Sequence, residues 1–193
     1  MRRIVKIGGS LLLDPTLPSR LDQWLESQPP AQTIAIVGGG QLIDAMRGLD
    51  ATYDCESAWL HWRCVELLRV TFELLCDKLP NWSFVSTHDE FEALQSKPTD
   101  NAAFLVAVDT FYSPSNPAPL PEDWSTTTDA IAGWLSILLS ADELVLLKSC
   151  DVPSATAIAA LSQQGIIDGA LPGLAERLCP IRYINFATPS ELP

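Results

Sequence analysis

The sequence predicts an α/β protein, a three-layer α/β/α sandwich around a mainly parallel central sheet. Short apolar runs alternate with longer segments in which apolar residues recur every three or four positions. The short runs are apolar on both faces and are bounded by glycine, aspartate or proline, as strands are when helices cover both sides of a sheet. Such alternation along a chain is typical of parallel sheets built from βαβ units.

Six strands and seven helices follow from this pattern when the chain is read in order. The strands are predicted at residues 3–7, 33–37, 82–86, 103–108, 143–148 and 181–186. The helices are predicted at residues 17–27, 41–49, 56–79, 89–96, 128–140, 154–163 and 171–178. Residues 113–122 carry four prolines, which predicts a stiff loop. No linker or repeat is visible, so we expect a single domain at 1–193.

Composition and charge exclude several classes of protein. Of 193 residues, 47% are hydrophobic, which indicates a folded core rather than a disordered chain. The net charge of −12 disfavours nucleic acid and anionic membranes as partners, and no apolar segment reaches the ~20 residues of a transmembrane helix. Five scattered cysteines without a CxxC pair, and no signal-peptide core, indicate reduced thiols and a cytoplasmic location.

The segment Lys6-Ile7-Gly8-Gly9-Ser10 is the most informative part of the chain. It ends the first predicted strand, and therefore places a cation, glycine amides and a hydroxyl at one strand tip. Backbone amides and a nearby cation can hold a phosphate without a Walker loop, and neither GxxxxGKS nor GxGxxG is present. The segment predicts a function that involves a nucleotide phosphate.

A second glycine segment, Gly38-Gly39-Gly40, follows the second predicted strand and precedes a helix. A glycine turn of this kind exposes amides at the positive end of a helix dipole. If the first two strands are neighbours, both glycine segments lie at the carboxyl edge of one sheet. A tight turn without a ligand is the alternative, but the pairing of the two segments favours a site for phosphoryl groups.

Four further residues are candidates for chemistry. Asp129 begins a predicted helix, Lys148 ends the fifth predicted strand, and Asp151 follows shortly after. Asp129 either caps its helix or hydrogen-bonds active-site lysines, and the other two are either functional or an ordinary ion pair. His61 lies on the long apolar helix, where it is either a core residue or a contact to a ligand.

The predicted helix at 56–79 has two apolar seams. One comprises Trp62, Val65, Leu68, Phe72, Leu75 and Leu79, and the other comprises Leu60, Cys64, Leu67, Thr71 and Leu74. One seam can cover the sheet, and a second apolar face in a chain of this size favours a subunit interface. We therefore expect a homodimer through this helix, with burial inside the monomer as the alternative.

The ordered set KIGGSLL, IVGGG, TTTDAIA and LVLLKSCDV resembles the amino acid kinase superfamily of aspartate, glutamate and uridylate kinases. The resemblance covers nearly the whole chain and implies the amino acid kinase-like (carbamate kinase-like) fold. Within the superfamily, the chain is most similar to kinases of (5-(aminomethyl)furan-3-yl)methyl phosphate, which serve methanofuran synthesis. The details are His61-Trp62 on the long helix, Trp124 five residues before Asp129, and the segment at 165–172.

The resemblance implies an ATP-dependent phosphotransferase that uses ATP and Mg²⁺ and acts on a small phosphorylated or carboxylated metabolite. It also implies roles for individual residues. The catalytic residues would be Lys6, Asp129 and Lys148, the nucleotide contacts Gly8, Gly9, Ser10 and Asp151, and the acceptor contacts Gly38, Gly39, Gly40 and His61, with His61 touching an acceptor phosphate. No metal ligand among the side chains is implied.

Two departures from the family pattern keep alternatives open. Asp151-Val152 runs into Pro153 where the family usually carries an Asp-Gly pair, and residues 169–173 lack a lysine that many members have. The alternatives are an amino acid kinase of the glutamate or acetylglutamate type, and a non-catalytic homologue that binds a nucleotide or metabolite.

Overall fold

Six parallel strands form the centre of the molecule in the computed structural model, which describes residues 1–96, 101–153 and 156–187. The strands are β1 (Arg2–Ile7), β2 (Gln32–Val37), β3 (Ser83–Val85), β4 (Ala102–Val106), β5 (Glu143–Lys148) and β6 (Ile181–Asn185). Their order across the sheet is β3-β4-β2-β1-β5-β6, and all neighbouring pairs are parallel. The predicted strands are confirmed to within two residues at each end.

Helices flank the sheet and complete the predicted α/β fold. They are α1 (Leu17–Ser27), α2 (Gln41–Tyr53), α3 (Ser57–Lys78), α4 (His88–Ser96), α5 (Thr128–Leu138) and α6 (Ile158–Gln163). Short 3₁₀ helices occupy Gly9–Leu13, Val108–Thr110 and Leu171–Arg177. Within the described residues, no helix is both long and apolar enough to cross a membrane.

Three helix predictions need correction. The segment predicted as a helix at 171–178 is a 3₁₀ helix at Leu171–Arg177, in which Gly173 disfavours a continued α-helix. Helix α2 extends past residue 49 to Tyr53 and stops at Asp54, whose φ of 49° is left-handed. Helix α6 begins at Ile158, and residues 154–155 of its predicted start lie outside the described residues.

The two faces of the sheet bury separate hydrophobic clusters. On β1, Ile4 faces the cluster that contains α5, while Val5 and Ile7 face the cluster that contains α1. This alternation follows from the two-residue period of a strand and makes the strands apolar on both faces. Lys6 shares the face of Ile4, and by the same period Lys148 shares the face of Leu146, which is also in the α5 cluster.

The strand order reverses direction between β1 and β5. On one side of β1 the sheet continues with β2, β4 and β3, and on the other side with β5 and β6. Register pairs Lys6 with Leu146 and Ile7 with Leu147, so the two strand tips end side by side. A crevice outside the carboxyl ends of the strands at such a point is where open α/β sheets bind ligands.

Helix α3 belongs to both clusters and also has an exposed side. Residues of its first predicted seam pack in the monomer, and in the second seam Leu60 and Thr71 are buried as well. The exposed large apolar residues of this helix are Trp59, Val70 and Leu74, at 53%, 52% and 48% exposure. They recur at helical spacing along one side, and only Leu74 belongs to the predicted second seam, so the free apolar surface coincides with that seam in part.

Candidate active site

Asp129 lies in the first turn of α5 and is buried between two lysines. Its Oδ1 is 3.0 Å from Lys6 Nζ, and its Oδ2 accepts a hydrogen bond of 2.7 Å from Lys148 Nζ. The contact with Lys6 is an ion pair by distance but lacks hydrogen-bond alignment. One carboxylate therefore holds together the cations at the tips of β1 and β5, as the resemblance implies.

The charges of this cluster depend on one another. Burial opposes ionisation of Asp129, but attraction from Lys6 and Lys148 outweighs burial and lowers the pKa of Asp129 below its ordinary value of 3.8. Two ammonium groups share this one carboxylate at the crevice, and the Asp168 carboxylate lies beside it. The paired lysines suit an anionic ligand such as a phosphate.

The start of α5 is fixed by a carboxylate from far along the chain. The N-cap residue Thr127 makes no side-chain cap of its own. Instead Asp168 Oδ2 accepts hydrogen bonds from Thr127 N and Ala130 N at 2.8 Å each, and from Thr127 Oγ1 at 2.9 Å. Asp168 Oδ1 accepts from Leu171 N at 2.9 Å. Because these amides flank Asp129, Asp168 sets where the Asp129 carboxylate sits.

The environment of Asp168 shows how closely it is joined to this cluster. Burial raises the pKa of Asp168, and the neighbouring charge of Asp129 raises it further. The hydrogen bonds from α5 lower this pKa but do not outweigh the other two effects. Sequence reasoning gave this residue no role, although it noted its segment. The signal was present only as a carboxylate just before the 3₁₀ helix at Leu171–Arg177.

The two glycine segments pack directly against each other. A Cβ added at Gly9 would lie 2.1 Å from Gly40 N, and Gly40 has a φ of +53°, which favours glycine. The amides of Gly8 and Gly38 are used in the sheet, donating to Leu147 O at 3.0 Å and Ile7 O at 2.9 Å. Both segments therefore meet at one edge, as predicted from the neighbouring strands.

Other amides in these segments remain available. Within the described residues, the amides of Gly9, Ser10 and Gly39 make no hydrogen bond. An unpaired amide at a strand tip or helix start is a ready donor to phosphate oxygens. The Ser10 hydroxyl donates to Ser149 Oγ at 2.8 Å and so joins the first segment to the tip of β5.

Asp151 lies further along the same edge. Its Oδ1 accepts a hydrogen bond of 2.8 Å from Asn185 Nδ2 at the end of β6. Lys148 pairs with Asp129, so the alternative of an ordinary Lys148–Asp151 ion pair is not what the described residues form. Asp151 and the Lys6–Asp129–Lys148 cluster thus occupy successive strand tips.

A cavity of about 270 Å³ opens beside the glycine segments. It is bounded by both segments, Lys6, α2, the first half of α3 and the loop at 123–128. All three glycines of the second segment and His61 line it. The Thr126 hydroxyl, in a residue only 5% exposed, is buried in its wall without a hydrogen-bond partner among the described residues.

His61 is a buried, neutral wall residue of this cavity. Its Nε2 lies 2.8 Å from the Tyr112 hydroxyl, and its ring packs edge-on against Trp62 and Tyr112. Burial lowers the pKa of His61 below its ordinary 6.5, against a hydrogen bond with the Asp123 backbone, so the ring is uncharged at pH 7. Since both ring nitrogens have partners within the protein, the ring offers shape to a ligand rather than charge.

Arg47 and Asp50 on α2 were missed by sequence reasoning, and both contact Trp124, which lines the cavity together with Arg47. Arg47 on α2 places its guanidinium 4.7 Å from the centre of the Trp124 ring. Trp124 Nε1 donates a hydrogen bond of 2.6 Å to Asp50 Oδ2, also on α2. A charged pair three residues apart on the helix that follows the second glycine segment was the available signal.

The described side chains do not form a metal site of their own. No group of three or more His, Cys, Asp or Glu among the described residues could hold a metal ion. Asp129, the carboxylate at the centre of the cluster, is already occupied by two lysines.

Comparison with known proteins finds no matching family model and no matching curated protein. Solved structures do match, at low sequence identity. A UMP kinase from Bacillus anthracis superposes with a TM-score of 0.69 at 13% identity, covering 98% of this chain and 88% of that one. A UMP kinase from Ureaplasma parvum gives 0.65 at 13%, with 98% and 91% covered, and a uridylate kinase from Archaeoglobus fulgidus gives 0.61 at 15%, with 92% and 87% covered.

These similarities show the fold. The chain has the α/β architecture of the UMP kinases, which is the amino acid kinase fold that the sequence motifs predict. The six parallel strands and flanking helices described above are the elements in common.

Proposed function

We propose that this protein is an ATP-dependent kinase that transfers the γ-phosphoryl group to a small phosphorylated or carboxylated metabolite. The observation that carries the proposal is Asp129 held between Lys6 and Lys148 at the point where the strand order reverses. Phosphoryl transfer asks little covalent chemistry of a protein, since positioning and charge neutralisation lower the barrier. A cation pair beside unpaired amides meets that requirement.

Each residue of the cluster has a role in this proposal. Lys6, between the two glycine segments, would neutralise charge that develops on the transferring group. Lys148, at the tip of β5, would contact the nucleotide side, and Asp129 would fix the direction of both ammonium groups. The amides of Gly9 and Ser10 would donate to phosphate oxygens, with Gly8 shaping the turn and Asp151 on the nucleotide side.

The cavity beside Gly38, Gly39 and Gly40 is the proposed acceptor site. It touches Lys6 and both glycine segments, so an acceptor bound there would present an oxygen to the same cation that faces the nucleotide. ATP would bring Mg²⁺ on its phosphates as the substrate complex. This chain would supply the amides and lysines that orient it.

The finer proposal is an acceptor like (5-(aminomethyl)furan-3-yl)methyl phosphate, in coenzyme synthesis linked to methanofuran or tetrahydromethanopterin. His61, Trp62 and Trp124, the residues of that resemblance, all lie at or beside the cavity. An amino acid acceptor of the glutamate type is the runner-up. His61 would contact the acceptor in either case, as part of the cavity wall.

Replacing Lys6 with methionine tests the kinase proposal. We expect the rate of ADP formation from ATP with an acceptor to fall by roughly 10²–10³, because the transition state loses its main cation. The acceptors to supply are the aminomethylfuran phosphate, UMP, glutamate and acetylglutamate, with the phosphorylated product identified by ³¹P NMR. Lys78→Met, which removes an exposed lysine paired with Asp77, is the matched control and should leave the rate unchanged.

A non-catalytic binding protein is the competing reading. It is favoured by Pro153 and by the absence of lysine from residues 169–173. Calorimetry would then show ATP binding with no ADP from any acceptor in the panel. Equal rates for the wild-type protein and Lys6→Met would also count against phosphoryl transfer at this site.

We also propose that a second copy of the chain docks on the stripe of Trp59, Val70 and Leu74. These three side chains are half exposed on one side of α3, and an isolated monomer would leave this apolar surface in contact with water, which is unfavourable. Changing Leu74 to glutamate should convert a dimer to a monomer in sedimentation velocity. Leu13→Glu, at an exposed leucine away from α3, should not. A wild-type protein that sediments as a monomer at every concentration would refute this interface.

A further inference from the structure

We propose that Arg47 binds an anionic group of the acceptor, on a support formed by Trp124 and Asp50. This inference rests on the proposed function, since it takes the cavity beside the second glycine segment as the acceptor site. It adds a specificity residue that neither the motifs nor the resemblance assigns. The acceptor class that it selects is a small molecule with a phosphate or carboxylate at the end away from the reacting oxygen.

The support beneath Arg47 is preorganised. The guanidinium carbon is 4.7 Å from the Trp124 ring centre, within the range of a cation–π contact. The indole N–H donates to Asp50 at 2.6 Å, so the ring cannot turn away from the helix that carries Arg47. A stacked guanidinium keeps its N–H edges free for in-plane hydrogen bonds.

Arg47 also has no counter-ion among the described residues. Several other arginines are paired with a carboxylate, as Arg3 is with Glu143 and Arg69 with Asp109. No ion pair includes Arg47, although it lines a cavity. A guanidinium fork in this state matches a carboxylate or phosphate with two parallel hydrogen bonds.

The rest of the wall offers one further group that can contact an anion, and it also carries two carboxylates. Thr126 contributes a hydroxyl that is buried without a partner among the described residues, which is costly unless a ligand accepts from it. Of the two carboxylates that also line the cavity, Asp123 accepts from Ser125 N at 2.7 Å, and Asp44 sits one turn before Arg47 on α2.

His61 is less suited to this task than Arg47. It is buried and neutral at pH 7, and its Nε2 is already placed 2.8 Å from the Tyr112 hydroxyl. A neutral imidazole gives one hydrogen bond without charge, whereas a guanidinium gives two with charge. Arg47 is therefore the residue that would distinguish a charged acceptor from an uncharged analogue of the same shape.

Binding of simple anions tests the inference without any phosphoryl transfer. Phenyl phosphate, benzoate and benzyl alcohol would be titrated by calorimetry into protein without nucleotide. We expect the wild-type protein to bind at least one anion more tightly than the alcohol. Arg47→Gln should lower the affinity for that anion by about tenfold or more and should remove the preference for the anion over the alcohol. The affinity for phenyl phosphate, compared with that for benzoate, shows whether the site prefers a phosphate or a carboxylate.

Two further variants separate a specific role from a general one. Arg47→Lys keeps the charge but loses the fork, so it should recover only part of the affinity. Arg63→Gln removes an exposed arginine that pairs with Glu66 on α3, outside the cavity, and should bind like the wild type. Unchanged anion binding in Arg47→Gln, or no anion binding by the wild-type protein, would overturn the inference.

The two proposals fail in different ways. If anion binding depends on Arg47 but the protein forms no ADP with any acceptor, the role of Arg47 is supported and the proposed kinase activity is refuted. ADP formation with an acceptor whose KM is unchanged in Arg47→Gln would sustain the kinase and refute the role of Arg47.

Discussion

Replacing Asp129 with asparagine is expected to lower the free energy of unfolding by about 3–5 kcal/mol and to reduce phosphoryl transfer by at least roughly 10²-fold. The change leaves Lys6 and Lys148 buried without their shared counter-charge. Removing one partner from a buried ion pair is costly because the remaining charge stays desolvated. Urea denaturation and the ADP assay with the best acceptor would measure the two effects.

A second variant separates stability from activity at this cluster. Changing Lys6 and Lys148 to methionine together with Asp129→Asn removes all three charges, and should recover much of the lost stability while the protein stays inactive. Asp109→Asn, which breaks a half-exposed pair with Arg69, is the matched control and should cost at most about 1 kcal/mol. Equal stability of Asp129→Asn and the wild type would contradict the buried cluster.

At acidic pH, the free energies of unfolding of Asp129→Asn and of the wild-type protein should become more similar. The pKa of Asp129 is lowered in the folded state, so its contribution to stability is complete at neutral pH. That contribution is lost only as the pH falls from the ordinary value of 3.8 through the lowered folded pKa. The asparagine variant carries no such dependence, so the two denaturation curves should converge only in strong acid.

The second large effect is expected for Gly9→Ala. A Cβ there would lie 2.1 Å from Gly40 N and 2.8 Å from the Gly38 carbonyl carbon, and backbone atoms cannot swing aside as side chains can. The two glycine segments must separate, which we expect to cost about 1–3 kcal/mol or more of stability. The unpaired amides at the crevice would move with them, so ATP binding measured by calorimetry should weaken sharply.

Gly48→Ala provides the control for this substitution. Gly48 lies within α2 and its added Cβ would meet nothing within 4 Å. Alanine in a helix interior is more favourable than glycine, so this variant should gain about 0.5–1 kcal/mol and bind ATP normally. Normal ATP binding by Gly9→Ala would show that the close contact of the segments does not shape the site.

The fold and half of the site could be predicted because they depend on local patterns. A strand buried on both faces has a recognisable sequence, and β5 was predicted with its observed bounds. Lys6 and Lys148 each end such a strand, and parallel strands finish at one edge, so their proximity followed from the topology. Asp129 joined them because its helix begins at the same edge.

The remaining site residues depend on how helices are rotated and on distant pairing. Arg47 lines the cavity although it is exposed, and α2 has no fully buried residue whose spacing would reveal that side of the helix in the sequence. Asp168 meets Thr127 across 41 positions, a contact that no periodicity encodes. The exposed stripe of α3 shares only Leu74 with the predicted second seam, because Leu60 and Thr71 of that seam are covered by their own monomer.

The cap that Asp168 places on α5 also has a consequence for synthesis on the ribosome. A nascent chain that has emerged only through β5 already contains Lys6, both glycine segments, Asp129 and Lys148. It still lacks Asp168, the carboxylate that fixes the start of α5. We therefore expect the Lys6–Asp129–Lys148 cluster to reach its final geometry only after Asp168 and Leu171 have been synthesised. We expect unfinished chains to gain little stability from a ligand, because the part of the chain after β5, about a quarter of its length, is needed to complete the site.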